Sequence, residues 1–228
     1  MSEKIRALES AAFVSWPALD GEEDYRGWRL RYGRGYTKRA NSANSQDGAM
    51  LLGAGQIAEV ESRYAQRKLP RIFRLVGGGP DGMDTMLAQR GYQQVDRSLV
   101  MTRAITALDE GAGPDVIDDA GIWLAEFAQC NGQPLARQDT HLQMLRAIRA
   151  DCALAVERRN GEVVCVALGV IVDGHLGIFD MVTAPQHRRQ GLAGKLCKKL
   201  FAWGRARGAH AAYLQVVAAN RRALALYE

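Results

Sequence analysis

A short segment near the C-terminus has the residue types of a phosphate-binding turn. Arg188, Gly191 and Ala193 stand at R-x-x-G-x-A spacing, directly after an apolar strand pattern and at the start of a helical one. The first turn of a helix carries unpaired backbone N–H groups, and the helix dipole favours an anion at that end. A glycine removes the side chain where the backbone must approach such a ligand. The segment therefore predicts a phosphate site; the alternative is an ordinary strand–turn–helix connection with surface arginines.

The elements that must position this segment can be read from turn signals and periodicity. Three strands precede it, predicted at Ala153–Glu157, Glu162–Val172 and His175–Thr183. The hairpin signals Asn160-Gly161 and Asp173-Gly174 join them, so the three strands form an antiparallel meander. Downstream, the pattern predicts a helix over 191–207, a strand over 213–217 and the start of another helix at Arg221. A meander before the glycine turn argues against a Rossmann unit, and the GK[ST] ending of a P-loop is absent.

A second motif, N-x-x-A-x-x-L-Y, lies in NRRALALY and is formed by Asn220, Ala223, Leu226 and Tyr227. Thr183-Ala184-Pro185 also stands where the GNAT acetyltransferase superfamily usually has V-x-P. Together with the two motifs, this makes residues 115–228 resemble that superfamily. The resemblance implies an α/β (α+β) GNAT fold, in which a mixed, mostly antiparallel sheet is flanked by helices. It also implies an N-acetyltransferase that takes acetyl-CoA as its acyl donor and needs no metal.

The resemblance assigns roles to numbered positions. The coenzyme-binding set that it implies is Met181, Val182, Thr183, Arg188, Arg189, Gln190, Gly191, Leu192, Ala193, Gly194 and Asn220. The three strand residues would pair with the pantetheine arm like an added strand, and the amides of 189–194 would hold the pyrophosphate. Asn220 would contact the pantetheine or the amine, and Tyr227 would lie beside the thioester sulfur as a catalytic residue.

The expected reaction also needs a base, because an alkyl ammonium with a pKa near 10.4 must lose a proton before it attacks. Asp180 is our candidate, since it is an acid in the otherwise apolar strand IFDMV; the alternative is a solvated carboxylate on the open face of that strand. Glu126 and His141 lie in helices predicted over 119–131 and from an N-cap at Thr140. Both helices would flank the acceptor, but we interpret these two side chains as surface or structural.

The first half of the chain repeats the order of the second. The same number of residues separates Ser42 from Ile72 as separates Thr183 from Tyr213, with a predicted helix between. We therefore predict a degenerate GNAT-like domain over 1–106, a linker rich in acids, Gly and Pro over 107–118, and a GNAT acetyltransferase domain over 119–228. The family's last strand is missing after Tyr227, so either the chain stops short of it or the first half supplies it.

The predicted elements of the first half are helices over 5–16, 55–67 and 82–90 and strands over 28–32, 72–76 and 96–103. Pro17 and the acidic run 20–24 are predicted to end the first helix. This half has no R-x-x-G-x-A motif, so it is expected to lack a coenzyme site and instead to cover the acceptor pocket or stabilise a homodimer. Its polar cluster, which we interpret as a loop rather than an acceptor contact, comprises Asn41, Ser42, Asn44 and Ser45.

Composition limits the function further. The 228 residues carry a net charge of +5, which favours an anionic partner, either a phosphate-rich coenzyme or a nucleic acid. Four cysteines without a CxxC pair predict reduced core thiols and no metal site. The N-terminus is charged and has no apolar signal region. The longest apolar run, Val163–Val172, is too short to cross a bilayer. We therefore predict a cytoplasmic protein with no membrane partner.

The acceptor cannot be read from the sequence, so several functions stay open. We favour transfer to a primary amine of a small molecule or amino acid. The alternatives are a protein or peptide N-acetyltransferase, a non-catalytic acyl-CoA-binding module and a basic nucleic-acid-binding module. The last would use Arg26, Arg29, Arg31, Arg34, Lys38 and Arg39. No recognition helix or RNA-binding motif accompanies these residues, so we expect no nucleic-acid partner.

Overall fold

The computed structural model describes residues 1–132, 134 and 138–227, without the side chain of Tyr227. The chain divides into two compact units, Met1–Val95 and Asp96–Glu228. This division falls before the acidic segment 107–118, where the sequence predicted a linker. The difference arises because the strand at 98–104 is hydrogen-bonded to the last strand of the second unit.

The first unit is a small sheet with three helices. In chain order its elements are α1 Glu3–Ser15, β1 Glu22–Tyr25, β2 Trp28–Arg31, β3 Ala43–Ser45, α2 Ala54–Gln66, β4 Phe73–Arg74 and α3 Met83–Gln89. The strands pair in the order β1-β2-β3-β4, with β3 and β4 parallel and joined through α2. Its core is apolar, centred on Trp28, Leu30, Ile57, Tyr64 and Met83.

Two segments of the first unit differ from the sequence prediction. The acidic run at 22–25 forms β1, because its acids lie opposite the arginines of β2, with Glu22 facing Arg31 and Asp24 facing Arg29. The polar cluster is not a surface loop: Asn41, Ser42, Asn44 and Ser45 are all buried, and 43–45 forms β3. Asn41 shows why burial is tolerated, since its side chain bonds the backbone of Gly33 and Gly35.

The second unit contains the larger sheet. In chain order its elements are β5 Ser98–Ala104, β6 Asp115–Val116, α4 Ala120–Asn131, α5 Asp139–Ala147, β7 Asp151–Arg159, β8 Glu162–Val172, β9 His175–Thr183, α6 Leu192–Arg205, β10 Ala211–Val217 and α7 Arg221–Tyr227. The strand order is β5-β10-β9-β8-β7-β6. The mixed, mostly antiparallel sheet flanked by helices matches the fold class that the sequence predicted.

The meander β7–β8–β9 forms at the two predicted hairpins. Asn160 and Gly161 have φ of 50° and 84°, and Asp173 and Gly174 have φ of 47° and 73°. Positive φ at both central residues is the requirement of a type I′ turn, which Asn-Gly and Asp-Gly meet at little cost. The helix α5 begins at Asp139 with Gln138 as its N-cap, so the predicted N-cap at Thr140 is wrong.

The strand beside β10 comes from the first half of the sequence. β5 pairs antiparallel with β10 over its whole length, from Ala104 opposite Ala211 to Ser98 opposite Val217. The structure therefore places an upstream strand at this edge of β10. The predicted linker also contributes, because 115–116 forms β6 at the other edge of the sheet.

A single apolar layer joins this sheet to α6. The buried residues include Ala155, Val164 and Leu176 of the sheet and Leu196 and Leu200 of the helix. The parallel pair β9 and β10 is joined through α6, just as β3 and β4 are joined through α2. The two units therefore share the strand–helix–strand order that the sequence spacing predicted. No helix among the described residues has the length and apolar character needed to cross a membrane.

Candidate functional site

The strands β9 and β10 separate along their length. They pair only from Ala211 opposite His175 to Tyr213 opposite Gly177, although β9 continues to Thr183 and β10 to Val217. In the part of the chain that the structure describes, no strand pairs with this edge of β9 beyond Gly177. The backbone groups of that stretch are therefore available to a ligand that adds to the sheet as a strand would.

A β-bulge in β9 lies beside this opening. Val182 faces Val166 and Phe179 faces Leu168, so that Asp180 and Met181 both stand opposite a single residue of β8. Asp180 has φ of 49°, in the left-handed region. Bulges of this kind bend a strand and redirect its side chains, often next to active sites. The bulge turns the candidate base toward α5.

The connection from β9 to α6 presents backbone donors to the same opening. Gly191 is the N-cap of α6 with φ of 76°, and Arg189 before it has φ of 60°. The amide of Lys195 donates to the carbonyl of Gly191 at 2.9 Å, whereas the amides of 192–194 come before the first intrahelical bond. A Cβ at Gly191 would meet no atom within 4 Å, so the backbone borders open space. This is the geometry expected of an anion site.

The edge of β9, the loop that follows it and the start of α6 border one cleft of about 850 Å³. The predicted coenzyme-binding residues that line it are Met181, Val182, Thr183, Arg188, Arg189, Gly191, Leu192, Ala193 and Asn220. His187 and Arg222 also line it, and sequence reasoning missed them. A search for basic residues within one helical turn of the two motifs would have found both.

Two predicted coenzyme-binding residues are not among the lining residues. Gln190 accepts a hydrogen bond from Arg159 through its side-chain oxygen, which ties the loop to the end of β7. Gly194 lies against α7, where an added Cβ would be 3.8 Å from Leu226. The side chain of Gln190 therefore anchors the loop, and Gly194 allows two helices to approach closely.

Several side chains hold the cleft in shape. Arg188 donates from Nε to the carbonyl of Thr183 at 3.1 Å, which joins the loop to the end of β9. Asn220 caps α7 by accepting from the amide of Ala223 at 3.1 Å. Tyr227 ends α7, but the predicted catalytic position of its side chain lies outside the described residues.

The positive charge of Lys195 on α6 is paired with a carboxylate on the strand β7. Glu157 of β7 is buried and accepts hydrogen bonds from Lys195 and, at 2.8 Å, from Lys199. Burial alone would raise the pKa of Glu157, but the two ammonium groups together outweigh it and leave that pKa below its ordinary value. The local positive charge at the cleft therefore comes mainly from the arginines that line it.

The predicted base has a partner that the sequence interpretation undervalued. His141 of α5 is fully buried, and its Nε2 lies 2.8 Å from Oδ2 of Asp180. Asp180 is not among the residues that line the cleft, and its side chain is 17% exposed. Glu126 is part-buried on α4, and among the described residues no recorded contact joins it to Asp180. The structure thus places His141, which the sequence analysis interpreted as surface or structural, beside the candidate base Asp180.

The separating strands, the bulge and the glycine-capped helix start define the class of this protein as a GNAT-fold N-acetyltransferase. Within that class, the chain belongs to the family described as "Probable histone acetyltransferase Rv0428c C-terminal", whose sequence model matches residues 2–228. Enzymes of this fold use acetyl-CoA as acyl donor. Among the described residues, no group of three or more His, Cys, Asp or Glu side chains is placed to hold a metal ion.

Individual relatives agree with this assignment. The uncharacterized N-acetyltransferase YobR of Bacillus subtilis is 29% identical over 99% of this chain and 93% of its own length. The probable histone acetyltransferase Rv0428c of Mycobacterium tuberculosis is 29% identical over 93% of this chain, which spans 66% of that protein. A solved N-acetyltransferase from Kribbella flavida has the same fold, with a TM-score of 0.63 and 17% identity over 93% of this chain and 84% of its own.

Proposed function

We propose that the protein binds acetyl-CoA in the cleft beside β9 and transfers its acetyl group to a primary amine of a small molecule or amino acid. The observation that carries this proposal is the unpaired edge of β9 leading into the glycine-capped start of α6. The pantetheine arm of acetyl-CoA is extended and carries amides, and it leads to a pyrophosphate. The arm would pair with the free strand edge of β9, and the pyrophosphate would follow at the backbone amides of the start of α6.

The donor would be held mainly by backbone. Met181, Val182 and Thr183 would exchange hydrogen bonds with the two amides of the pantetheine arm. The amides at the start of α6 would receive the pyrophosphate, with Arg189 and Arg222 adding positive charge at the rim. Because backbone donors cannot be removed by mutation, the sensitive position is Gly191, whose missing side chain keeps the approach open.

The chemistry requires three further contributions. Asp180 would accept the proton of the acceptor ammonium, directly or through water. Backbone donors near the β9 bulge would stabilise the oxyanion of the tetrahedral intermediate. Tyr227 would hydrogen-bond the departing sulfur; full proton transfer from a phenol of pKa about 10 to a thiolate whose acid has pKa about 8.5 is uphill, so a hydrogen bond is the role we assign.

A protein or peptide amine is the second candidate acceptor. The observation in its favour is the name of the M. tuberculosis relative, a probable histone acetyltransferase, at 29% identity. The nucleic-acid alternative has less support, because acids engage three of its six basic residues. Arg29 pairs with Asp24 at 3.0 Å, Arg34 pairs with Asp20 at 2.8 Å, and Arg31, which is buried, pairs with Glu22 at 2.6 Å.

The test is calorimetric titration of acetyl-CoA into the parent protein and into Gly191→Glu. The parent should bind in the micromolar range, and the variant should show no binding, because it places a carboxylate where the pyrophosphate would lie. Gly208→Glu is the matched control: Gly208 also has left-handed φ, at 81°, and an added Cβ there meets no atom within 4 Å. It follows the opposite end of α6, so it should bind like the parent.

Two results would overturn the coenzyme site. One is a parent protein that does not bind acetyl-CoA. The other is an equal loss of acetyl-CoA binding in Gly191→Glu and Gly208→Glu. With binding established, release of free CoA in the presence of separate pools of small amines, amino acids and lysine-containing peptides distinguishes the two acceptor classes.

A further inference from the structure

The direction of the donor along β9 determines where its acyl group would lie. In the proposed complex the pyrophosphate lies at the start of α6, and the arm runs back along β9 from Thr183 past Met181. The thioester and its acyl group would therefore point toward Gly177, where β9 and β10 come together in the parallel ladder. The side chains at that meeting point limit how long the acyl chain can be.

Two aromatic rings fill the meeting point on the face of the sheet opposite α6. Ile178 of β9 and Ala212 of β10 belong to the apolar layer that packs on α6. Side chains alternate along a strand, so the next residues, Phe179 and Tyr213, point to the other face. Both are buried, and their rings meet edge-to-face with centroids 6.0 Å apart. Together the two rings bridge from β9 to β10 just where the strands separate.

The face toward α6 is closed as well. Ile178 is part of the apolar layer there, and Leu214 of β10 packs against the same layer. Among the described residues of β9 that line the open cleft, Met181 is the earliest. The floor of the cleft therefore lies between Gly177 and Met181, with apolar side chains on both faces of the sheet.

The space at this floor is too small for one more carbon atom. A Cβ on Gly177 would lie 2.6 Å from Cε2 and 2.7 Å from Cζ of Phe179, and 2.8 Å from the hydroxyl of Tyr213. Non-bonded carbon atoms are best separated by about 3.5–4.0 Å. Because interiors are closely packed, neither ring can make room for a methylene without displacing its own neighbours.

We propose that the ring pair of Phe179 and Tyr213 determines the acyl-chain specificity of the donor site and restricts it to acetyl, a proposal that rests on the proposed function. The methyl of an acetyl group would reach the rings and end against them. Each further methylene would have to overlap a ring or turn back toward solvent, where its apolar surface gains nothing from burial. The pair would therefore select acetyl-CoA against longer acyl donors.

The test is calorimetric titration of the parent with CoA, acetyl-CoA, propionyl-CoA and butyryl-CoA. In an open apolar pocket each added methylene would tighten binding about fourfold. The parent should show the opposite order, with butyryl-CoA bound about tenfold more weakly than acetyl-CoA. Each Kd is divided by the Kd of CoA for the same variant, so that a general change in the coenzyme site cancels. The measurement needs no acceptor.

Variants of the ring pair should open the floor in steps. Phe179→Leu lacks Cε2 and Cζ, the ring atoms nearest to Gly177, and should bind propionyl-CoA more tightly than acetyl-CoA, by about fourfold. Adding Tyr213→Phe removes the hydroxyl as well and should extend the gain to butyryl-CoA. Phe201→Leu is the matched control on α6, where the ring lies against Arg103, and it should keep the parental order.

Several results would overturn the inference. One is a parent that binds butyryl-CoA as tightly as acetyl-CoA; another is a reversed order in Phe201→Leu. A third is the parental order in Phe179→Leu, which also decides the matter if the double variant no longer binds CoA. A parent that binds neither CoA nor acetyl-CoA would contradict the proposed function itself, whereas tight CoA binding with no dependence on acyl length would contradict the role of the ring pair alone.

Discussion

Arg31 is a charged side chain with no solvent exposure in the first unit. Its guanidinium pairs with Glu22 at 2.6 Å and donates to the carbonyls of Phe13 and Trp16. Burial lowers the pKa of Arg31, and the attraction of Glu22 works against that effect. Arg31→Ala should therefore lower the free energy of unfolding by about 3–5 kcal/mol, because it leaves the buried carbonyls of Phe13 and Trp16 without their donor and the part-buried Glu22 without its partner. Urea denaturation measures the change.

The control lies two residues earlier on the same strand. Arg29 pairs with Asp24 at 3.0 Å, but both side chains are substantially exposed. An exposed pair of this kind contributes about 1 kcal/mol or less, so Arg29→Ala should change stability little. If the two variants had equal effects, the buried hydrogen bonds of Arg31 would not be what holds this part of the unit together.

Single residues also show where sequence reasoning succeeds and where it stops. Gly191 was singled out from the sequence as the place where the backbone could approach a phosphate, but its left-handed φ of 76° was not predicted, because an N-cap residue usually has extended backbone. The bulge at Asp180 was not predictable, because it depends on how β9 pairs with β8, and no local residue preference demands it. The same holds for His141: a lone histidine on a helix is most simply structural, and only the tertiary fold brings it to the aspartate.

At the scale of elements, Gly177 marks the point where β9 and β10 separate. A Cβ there would lie 2.6 Å from the ring of Phe179 and 2.8 Å from the hydroxyl of Tyr213, two buried aromatic residues. Neither ring can move without displacing its neighbours, because interiors are closely packed. Gly177→Ala should therefore destabilise the protein by about 1–3 kcal/mol, as overpacking of a core does. Thermal or urea unfolding measures this.

Gly194→Ala is the matched substitution. In α6 the added methyl would meet Leu226 at an ordinary 3.8 Å, and alanine favours a helix over glycine by up to about 1 kcal/mol. Its stability should be equal to or slightly above that of the parent. If Gly177→Ala proved as stable as Gly194→Ala, the close approach at the separation point would be unimportant for the sheet.

Helices and strands whose own residues show a clear apolar pattern or a turn residue were predicted well. Strands that lack such a pattern within their own segment were missed. The structure has α6 at Leu192–Arg205, close to the predicted 191–207, because its apolar face and its C-terminal glycine are both local features. The strands β1 and β3 were missed because their sequences, EEDY and ANS, look like solvent-exposed turns. They are strands because cross-strand arginines and backbone groups satisfy their polar atoms, and such pairing has no signature within either segment.

At the scale of the whole molecule, the net charge of +5 raises the question of whether the donor is attracted by the total charge or by the few cations at the cleft. An acetyl-CoA molecule carries several phosphate charges, so its affinity should fall as salt shortens the Debye length, from about 10 Å at 0.1 M to about 3 Å at 1 M. S-acetylpantetheine, which has no phosphate, should show no such fall. Calorimetric titration of both ligands across that salt range measures the difference.

Two variants that each lower the net charge by one separate the local from the global explanation. Arg189 lines the cleft before α6, whereas Arg207 follows the C-terminal end of that helix and stacks on Trp203 at 4.7 Å. Arg189→Gln should weaken acetyl-CoA binding at about 0.1 M salt and flatten its salt dependence, because a charge within one Debye length of the pyrophosphate is lost. Arg207→Gln should leave both unchanged. Equal effects of the two substitutions would mean that the donor responds to total charge, and the arginines of the cleft would then lose their assigned role in holding the pyrophosphate.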